Sequence, residues 1–145
     1  MAALPDEPAG MPRRVYTVEQ ANRALPLVRR IAEDIVTQYR RWQDRVREFE
    51  TLAARGGAAR PADSAARLQR EVQALAAEID GYVAELAELG VEFKDYERGL
   101  LDFPGERDGR PVYLCWQLGE PAVRFWHELD AGFPGRRPVD SPDTT

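Results

Sequence analysis

The chain has 145 residues, a formal net charge of -5 and a pI of about 5.0, which suits one domain of ordinary size. The acidic balance argues against a protein that binds nucleic acid through general attraction to phosphates, because that mode needs a basic surface. A single cysteine excludes an intrachain disulfide and a zinc site built from several cysteines, and it fits a reducing cytoplasm. No secretion signal and no membrane span are predicted, since the first residues lack a basic start followed by an apolar core and the apolar runs are short.

The two ends of the chain differ in composition from its middle. Residues 1–14 and 134–145 are rich in proline and in small or polar residues, so both are predicted to be disordered tails. Residues 15–133 are expected to form a single domain.

A long first helix is predicted from residue 18 onward. Thr17 and Gln20 have the spacing of a capping box, in which each residue's side chain satisfies a backbone N–H of the other. The apolar residues that follow are three or four positions apart, which is the spacing of one buried seam. They are Leu25, Val28, Ile31, Ile35, Tyr39, Trp42, Val46, Phe49 and Leu52.

A second helix follows the break at Gly56, Gly57 and Pro61, and Gly90 is placed just beyond its end. Its apolar seam is Leu68, Val72, Leu75, Ile79, Tyr82 and Leu86. Together the two helices predict an antiparallel helical hairpin over residues 17–90. One small sheet cannot cover two seams of this length, so a second copy of the chain is expected to cover the remainder, giving a homo-oligomer.

The pattern changes after Gly90. Residues 91–94, 100–103 and 112–118 are short β-branched or aromatic runs separated by turn signals, which predicts a small three-stranded antiparallel sheet. Pro121 and Gly132 suit the two ends of a short C-terminal helix. The predicted fold class is therefore α+β and mainly helical: a long antiparallel helical hairpin, then a three-stranded sheet and a short helix over residues 91–133.

Several motifs in this order resemble the uncharacterised bacterial family known as domain of unknown function 2203. They lie at residues 17–28, 99–104, 109–110, 113–116, 119–120 and 125–133. The resemblance covers nearly all of the chain outside the predicted tails, and the run Trp126-His127-Glu128 is its most specific part. It implies a single cytoplasmic domain, and it implies no activity, substrate or cofactor.

His127, the single histidine, is the best candidate for a functional residue. If residues 121–131 are helical, His127 lies one turn from Asp130. The structural interpretation is a histidine held by Asp130 near a helix C-terminus. The functional interpretation is a divalent-metal site formed by His127 and Asp130 with help from Glu128 or Asp102; Glu106 and Cys115 are further candidates.

Nucleophilic catalysis has weak support in the sequence. Ser64 is better explained as a helix cap and Ser141 lies in the tail, so Cys115 with His127 is the one possible pair. Cys115 lies in the middle of a predicted strand, where a small buried thiol is the more common state.

Two functions follow from these patterns. The first is a cytoplasmic interaction or small ligand-binding module that self-associates through its helical hairpin. The alternative is a metal-binding protein or metal-dependent enzyme with its site around His127. Metal analysis of protein purified without a histidine tag separates the two.

Overall fold

The computed structural model describes residues 14–55 and 62–140. Within these residues, two α-helices precede one antiparallel sheet whose strands lie in chain order. The elements are α1 (Val18–Arg55), α2 (Ala62–Glu88), β1 (Glu92–Asp95), β2 (Leu100–Arg107), β3 (Arg110–Gln117), β4 (Phe125–His127), a 3-10 turn (Phe133–Gly135) and β5 (Arg137–Pro138). The predicted α+β class and the helical hairpin are confirmed.

Local signals set both ends of the hairpin. The backbone N–H of Gln20 donates to Thr17 Oγ1 at 3.0 Å, and the N–H of Thr17 donates to Gln20 Oε1 at 2.9 Å, which is the predicted capping box. After α2, Gly90 has a φ of +82°, and the N–H of Val91 donates to the carbonyl of Leu86 at 2.9 Å. This left-handed turn satisfies a terminal carbonyl of α2 and directs the chain into β1.

The two halves of the hairpin are buried to different extents. The first half of α1 packs into the core through Ala21, Leu25, Val28, Ile31, Ala32, Ile35 and Val36, which are all buried. Beyond residue 41 the seam side chains of α1 are half-buried, as are those of α2 before Ile79. The sheet therefore covers only the part of the hairpin near the start of α1 and the end of α2.

The sheet has one apolar face and one mixed face, because successive side chains of a strand point to opposite sides. Leu101 lies opposite Trp116, and Phe103 lies opposite Leu114. These four side chains belong to the same hydrophobic core as the apolar residues of α1, so this is the face that packs on the helices. The other face carries Asp102 and its partner Cys115.

Two details of the predicted sheet are wrong: it has five strands in the described residues, and no C-terminal helix follows it. The segment predicted as a helix contains β4, in which Trp126 pairs with Leu114. A strand sends Trp126 into the apolar core and His127 to the opposite face, whereas a helix would turn the two side chains only about 100° apart. Burial of the large indole and the strand preference of aromatic residues favour the strand.

The segment beyond residue 133 also differs from its prediction as a tail. Residues 133–135 form the 3-10 turn, and β5 pairs with β4, with Trp126 opposite Arg137. Residues 134–140 thus extend the folded part of the chain. Residues 1–13 of the predicted N-terminal tail, 1–14, lie outside the described residues, as do residues 141–145.

Candidate metal centre

Three neighbouring strands each place one chemically active side chain on the mixed face of the sheet. Asp102 of β2 lies opposite Cys115 of β3. His127 of β4 pairs with Tyr113, which is two residues before Cys115 and therefore on the same face. The register of the sheet thus brings Asp102, Cys115 and His127 together.

The three side chains are buried and close to one another. Asp102 is 3% exposed, Cys115 is 0% exposed and His127 is 2% exposed. One carboxylate oxygen, the sulfur and one ring nitrogen all lie within 4.8 Å of each other. We call these three residues the buried cluster.

Two hydrogen bonds fix the ring of His127. Its Nδ1 lies 2.7 Å from the carbonyl oxygen of Glu128, and its Nε2 lies 3.0 Å from Asp102 Oδ1. Because a carbonyl only accepts, Nδ1 carries a proton and donates it to Glu128. The contact between Nε2 and Asp102 also needs one proton, which belongs either to the imidazolium or to the carboxylic acid.

Burial controls the electrostatics of the other two groups. Desolvation raises the pKa of Asp102 above its ordinary value, and the charges of His127 and Lys94 oppose this effect. Desolvation, together with the nearby Asp102 carboxylate, raises the pKa of Cys115 to about 12, against the opposing effect of Arg136. Without a metal, the Cys115 thiol is therefore protonated at neutral pH.

On one side of the buried cluster, Arg136 contacts Cys115. Its Nη1 lies 3.8 Å from the sulfur. The same guanidinium pairs with the carboxylate of Glu120, and its Cζ lies 3.9 Å from the ring centroid of Phe125 and 4.5 Å from that of Phe133. Arg136 is thus a fixed cation beside the thiol.

On the other side, Tyr113 borders His127. The ring centroids of the two side chains are 5.5 Å apart. The hydroxyl of Tyr113 donates to the carboxylate of Glu92 at 2.9 Å, and Lys94 Nζ lies 3.1 Å from the same carboxylate. These half-buried and exposed residues form a polar rim around the buried cluster.

The structure brings together two of the four residues named from the sequence as metal ligands. His127 and Asp102 are in contact, whereas Glu128 pairs with Arg110 at 2.7 Å and Asp130 is exposed. Neither Glu128 nor Asp130 belongs to the group of possible ligands found in the described residues. The helical spacing that linked Asp130 to His127 does not exist in a strand.

Cys115 completes the group, although the sequence favoured an inert buried thiol at this position. The signal that could have found it is strand alternation: once residues 125–127 are assigned to a strand next to β3, Cys115 and His127 share a face. Glu106, another candidate, is exposed and lies four residues beyond Asp102 on β2.

The fold and site together define a protein with a helical hairpin, a five-stranded antiparallel sheet and a buried Asp-Cys-His cluster on the sheet face away from the helices. The family model described as "Uncharacterized conserved protein (DUF2203)" matches residues 14–139, and the chain belongs to this family. The resemblance seen in the sequence is thereby confirmed. No curated protein and no solved structure matches the chain. Neither α1 nor α2 contains a stretch long and apolar enough to cross a bilayer.

Proposed function

We propose that this protein binds one divalent transition-metal ion through Asp102, Cys115 and His127. The observation that supports this most directly is the convergence of a carboxylate oxygen, a thiol sulfur and an imidazole nitrogen within 4.8 Å, all from buried side chains. Three buried polar groups of different chemistry in contact are costly to desolvate, and a metal ion compensates for that cost.

The donor set favours zinc or a similar borderline ion. Zinc takes nitrogen, sulfur and oxygen ligands at about 2.0–2.3 Å in a tetrahedron, which places ligand atoms about 3.3–3.8 Å apart. A group within 4.8 Å therefore needs a contraction of about 1.5 Å at most to reach this geometry. Three protein ligands leave a fourth position for water or a small ligand, which agrees with the ligand-binding expectation from the sequence.

The surroundings of His127 are those of a metal ligand. A ligating histidine usually donates its second ring N–H to a carbonyl or carboxylate, which orients the ring and fixes the tautomer. Here Nδ1 donates to the carbonyl of Glu128, so the lone pair available to a metal is on Nε2, the nitrogen that faces Asp102. A metal ion would replace the proton between Nε2 and the carboxylate.

The test is titration of chelator-treated protein with Co²⁺, a spectroscopic substitute for Zn²⁺. We expect one ion per chain and a charge-transfer absorption from a bound thiolate. Binding should also release up to two protons, one from between His127 and Asp102 and one from Cys115, so affinity should rise with pH. Proton release is measured with a pH indicator in weak buffer.

The Cys115→Ala variant separates ligation from folding, because it removes only one small buried side chain. It should abolish the charge-transfer band and weaken Co²⁺ binding about 100-fold or more. The matched controls are Asp130→Asn and Glu128→Gln, which lie outside the buried cluster and should bind as the wild type does. An unchanged affinity in Cys115→Ala, or no binding by the wild type, would contradict the proposal.

We propose self-association of the chain as a second function, at the distal hairpin, defined here as residues 42–55 and 63–75. This surface is supported by its half-buried apolar residues, which the sheet does not cover: Trp42, Val46, Phe49, Leu52, Leu68, Val72 and Leu75. A groove of about 740 Å³ there is lined by both acidic and basic side chains, including Asp44, Arg45, Arg67 and Glu71. A patch with both signs can complement itself across a two-fold axis, so the proposed partner is a second copy.

Light scattering at high micromolar concentration tests this second proposal, and a mass of two chains is expected. Val46→Asp should reduce the mass to one chain, because it places a charge in the half-buried seam. Thr37→Asp, at an exposed position of the same helix, is the matched control. A wild-type mass of one chain at this concentration would exclude self-association through the hairpin.

A further inference from the structure

Within the described residues, the side chains of the buried cluster are almost inaccessible to solvent. Its three residues are between 0% and 3% exposed, so an ion reaches their ligand atoms only if a covering residue moves. Two bordering residues compete for this role: Arg136, which contacts Cys115, and Tyr113, which contacts His127.

These two residues belong to elements of very different size. Tyr113 is part of β3, which pairs with β2 along eight residues and with β4 on its other side. Arg136 lies between the 3-10 turn and β5, a strand of two residues at the edge of the sheet. Displacing Arg136 breaks far fewer backbone hydrogen bonds than displacing Tyr113.

The segment that carries Arg136 is held mainly by its side chains. Arg136 pairs with Glu120 and stacks on Phe125 and Phe133, with its side chain 10% exposed. Gly132, directly before the turn, has a φ of +69°, so the chain changes direction there in a conformation that glycine adopts easily. Residues 132–136 can therefore move as one unit once the contacts of Arg136 are released together with that of Arg98, whose Cζ lies 4.6 Å from the ring centroid of Phe133.

We propose that residues 132–136, closed by the pairing of Arg136 with Glu120, form the gate through which a metal ion enters and leaves the buried cluster. This inference rests on the proposed metal function. A gate changes the rates of entry and release by the same factor and leaves the affinity unaltered, which distinguishes it from a ligand.

Glu120→Gln is the sharpest variant, because the new side chain keeps its shape and its oxygen still accepts from the N–H of Gln117, as Glu120 does at 2.9 Å. It removes the negative charge that holds Arg136 and replaces the carboxylate oxygen that accepts from Arg136 Nη2 with an amide NH2 group, which cannot accept. Arg136→Gln opens the same gate but also removes the cation beside the Cys115 sulfur. We expect both variants to open more often, and only Arg136→Gln to bind metal more weakly.

The first measurement needs no metal. Cys115 is the single cysteine, so alkylation by iodoacetamide in chelator-treated protein reports directly on access to the buried cluster. We expect labelling at least 10-fold faster than wild type in Glu120→Gln and in Arg136→Gln. Arg137→Gln, an exposed neighbour on β5, and Tyr113→Phe, on the opposite border, should label at the wild-type rate.

Global unfolding also exposes Cys115, so the free energy of unfolding of each variant is measured under the same conditions. Labelling that accelerates only in proportion to lost stability would overturn the gate. Unchanged labelling in both variants, or faster labelling in Tyr113→Phe alone, would overturn it as well.

Stopped-flow uptake and release of Co²⁺ then complete the test. Glu120→Gln should speed both rates at least 10-fold and keep the dissociation constant within about 3-fold of wild type. Faster alkylation in a protein whose wild type takes up no metal would leave the gate standing and reject the metal function. Normal metal binding with unaltered rates of uptake and release in Glu120→Gln would reject the gate and leave the metal function standing.

Discussion

The two faces of the sheet are built from the same strands and differ in the chemistry of their side chains. Toward the helices, Leu101, Phe103 and Trp116 are 0% exposed and belong to the apolar core. Toward the other side, the neighbouring positions of β2 and β3 carry Asp102 and Cys115, two groups that can ionise. Strand alternation alone separates a face that stabilises the fold from a face that holds chemistry.

On the mixed face, the three residues of the buried cluster are buried nearly as completely as the apolar face, but their burial has the opposite effect on stability. Burial of apolar side chains contributes stability directly, at about 25 cal/mol per Å². Burial of a carboxyl, a thiol and an imidazole costs stability unless they are hydrogen-bonded or bound to an ion. Truncating side chains on the helix-facing side should therefore lower the free energy of unfolding. The contribution of the mixed face to that free energy should instead depend on pH and on bound metal.

The largest expected effect is on the apolar face. Phe103→Ala removes a fully buried ring that packs edge-on against Tyr16 with centroids 5.2 Å apart. We expect the free energy of unfolding to fall by about 3–5 kcal/mol, measured by urea denaturation, with or without metal. Leu129→Ala, at a half-exposed position, is the control and should change it by about 0.5 kcal/mol or less. If the loss of unfolding free energy in Phe103→Ala depended on metal, the two faces would not be energetically separate.

The next effect is on the mixed face and depends on pH. In the metal-free protein the thiol of Cys115 has a pKa of about 12, against about 8.5 in the unfolded chain. Above about pH 8.5 the unfolded chain releases this proton while the folded protein retains it, so stability falls as pH rises. Between pH 8.5 and 10.5 the wild type should lose about 2–3 kcal/mol more than Cys115→Ala, measured by denaturation in the presence of a chelator.

Subtracting the Cys115→Ala curve removes the titration of tyrosines and other groups that both proteins share. Equal pH dependence in the two proteins would show that the thiol is not confined as the structure places it. With metal bound the sign reverses, because the folded protein then holds a thiolate and only the unfolded chain takes up the proton below pH 8.5.

Metal binding should also distinguish the two faces of the sheet. At a free concentration of 100 times its dissociation constant, Zn²⁺ should stabilise the wild type by about 2.7 kcal/mol, seen as a rise in melting temperature. Asp102→Asn keeps the shape of the side chain and loses its charge, so this rise should largely disappear. The same ion should leave the difference between wild type and Phe103→Ala unaltered. If Zn²⁺ raised the melting temperature of Asp102→Asn as much as that of the wild type, the Asp102 carboxylate would not be a metal ligand.

The sequence predicted the hairpin well, because its signals are local. The capping box at Thr17 and Gln20 and the glycine at residue 90 act within a few residues, and each has the geometry expected of it. The site was predicted only in part. His127 and Asp102 were named, but their contact depends on the pairing of strands that are 25 residues apart in the chain.

Residues 121–131 show why local reasoning failed there. Proline and glycine at the two ends and apolar residues three apart suit a helix, and the strand preference of Phe125 and Trp126 is only a weak local signal against it. What selects the strand is tertiary: Trp126 gains burial against Leu114 only when residues 125–127 pair with β3. That single change makes Asp102 instead of Asp130 the partner of His127 and brings Cys115 into the same group.

The smallest expected effect is at the polar rim of the mixed face. Tyr113→Phe removes the hydrogen bond from the Tyr113 hydroxyl to Glu92, which is exposed to solvent, and keeps the ring beside His127. Water replaces the lost partner of an exposed carboxylate, so the free energy of unfolding should fall by about 0.5–1 kcal/mol. Denaturation with and without Zn²⁺ should give the same loss. A loss of about 2 kcal/mol or more would mean that the rim and the buried cluster act as one network, and the boundary between them would then have to be moved outward to include Glu92.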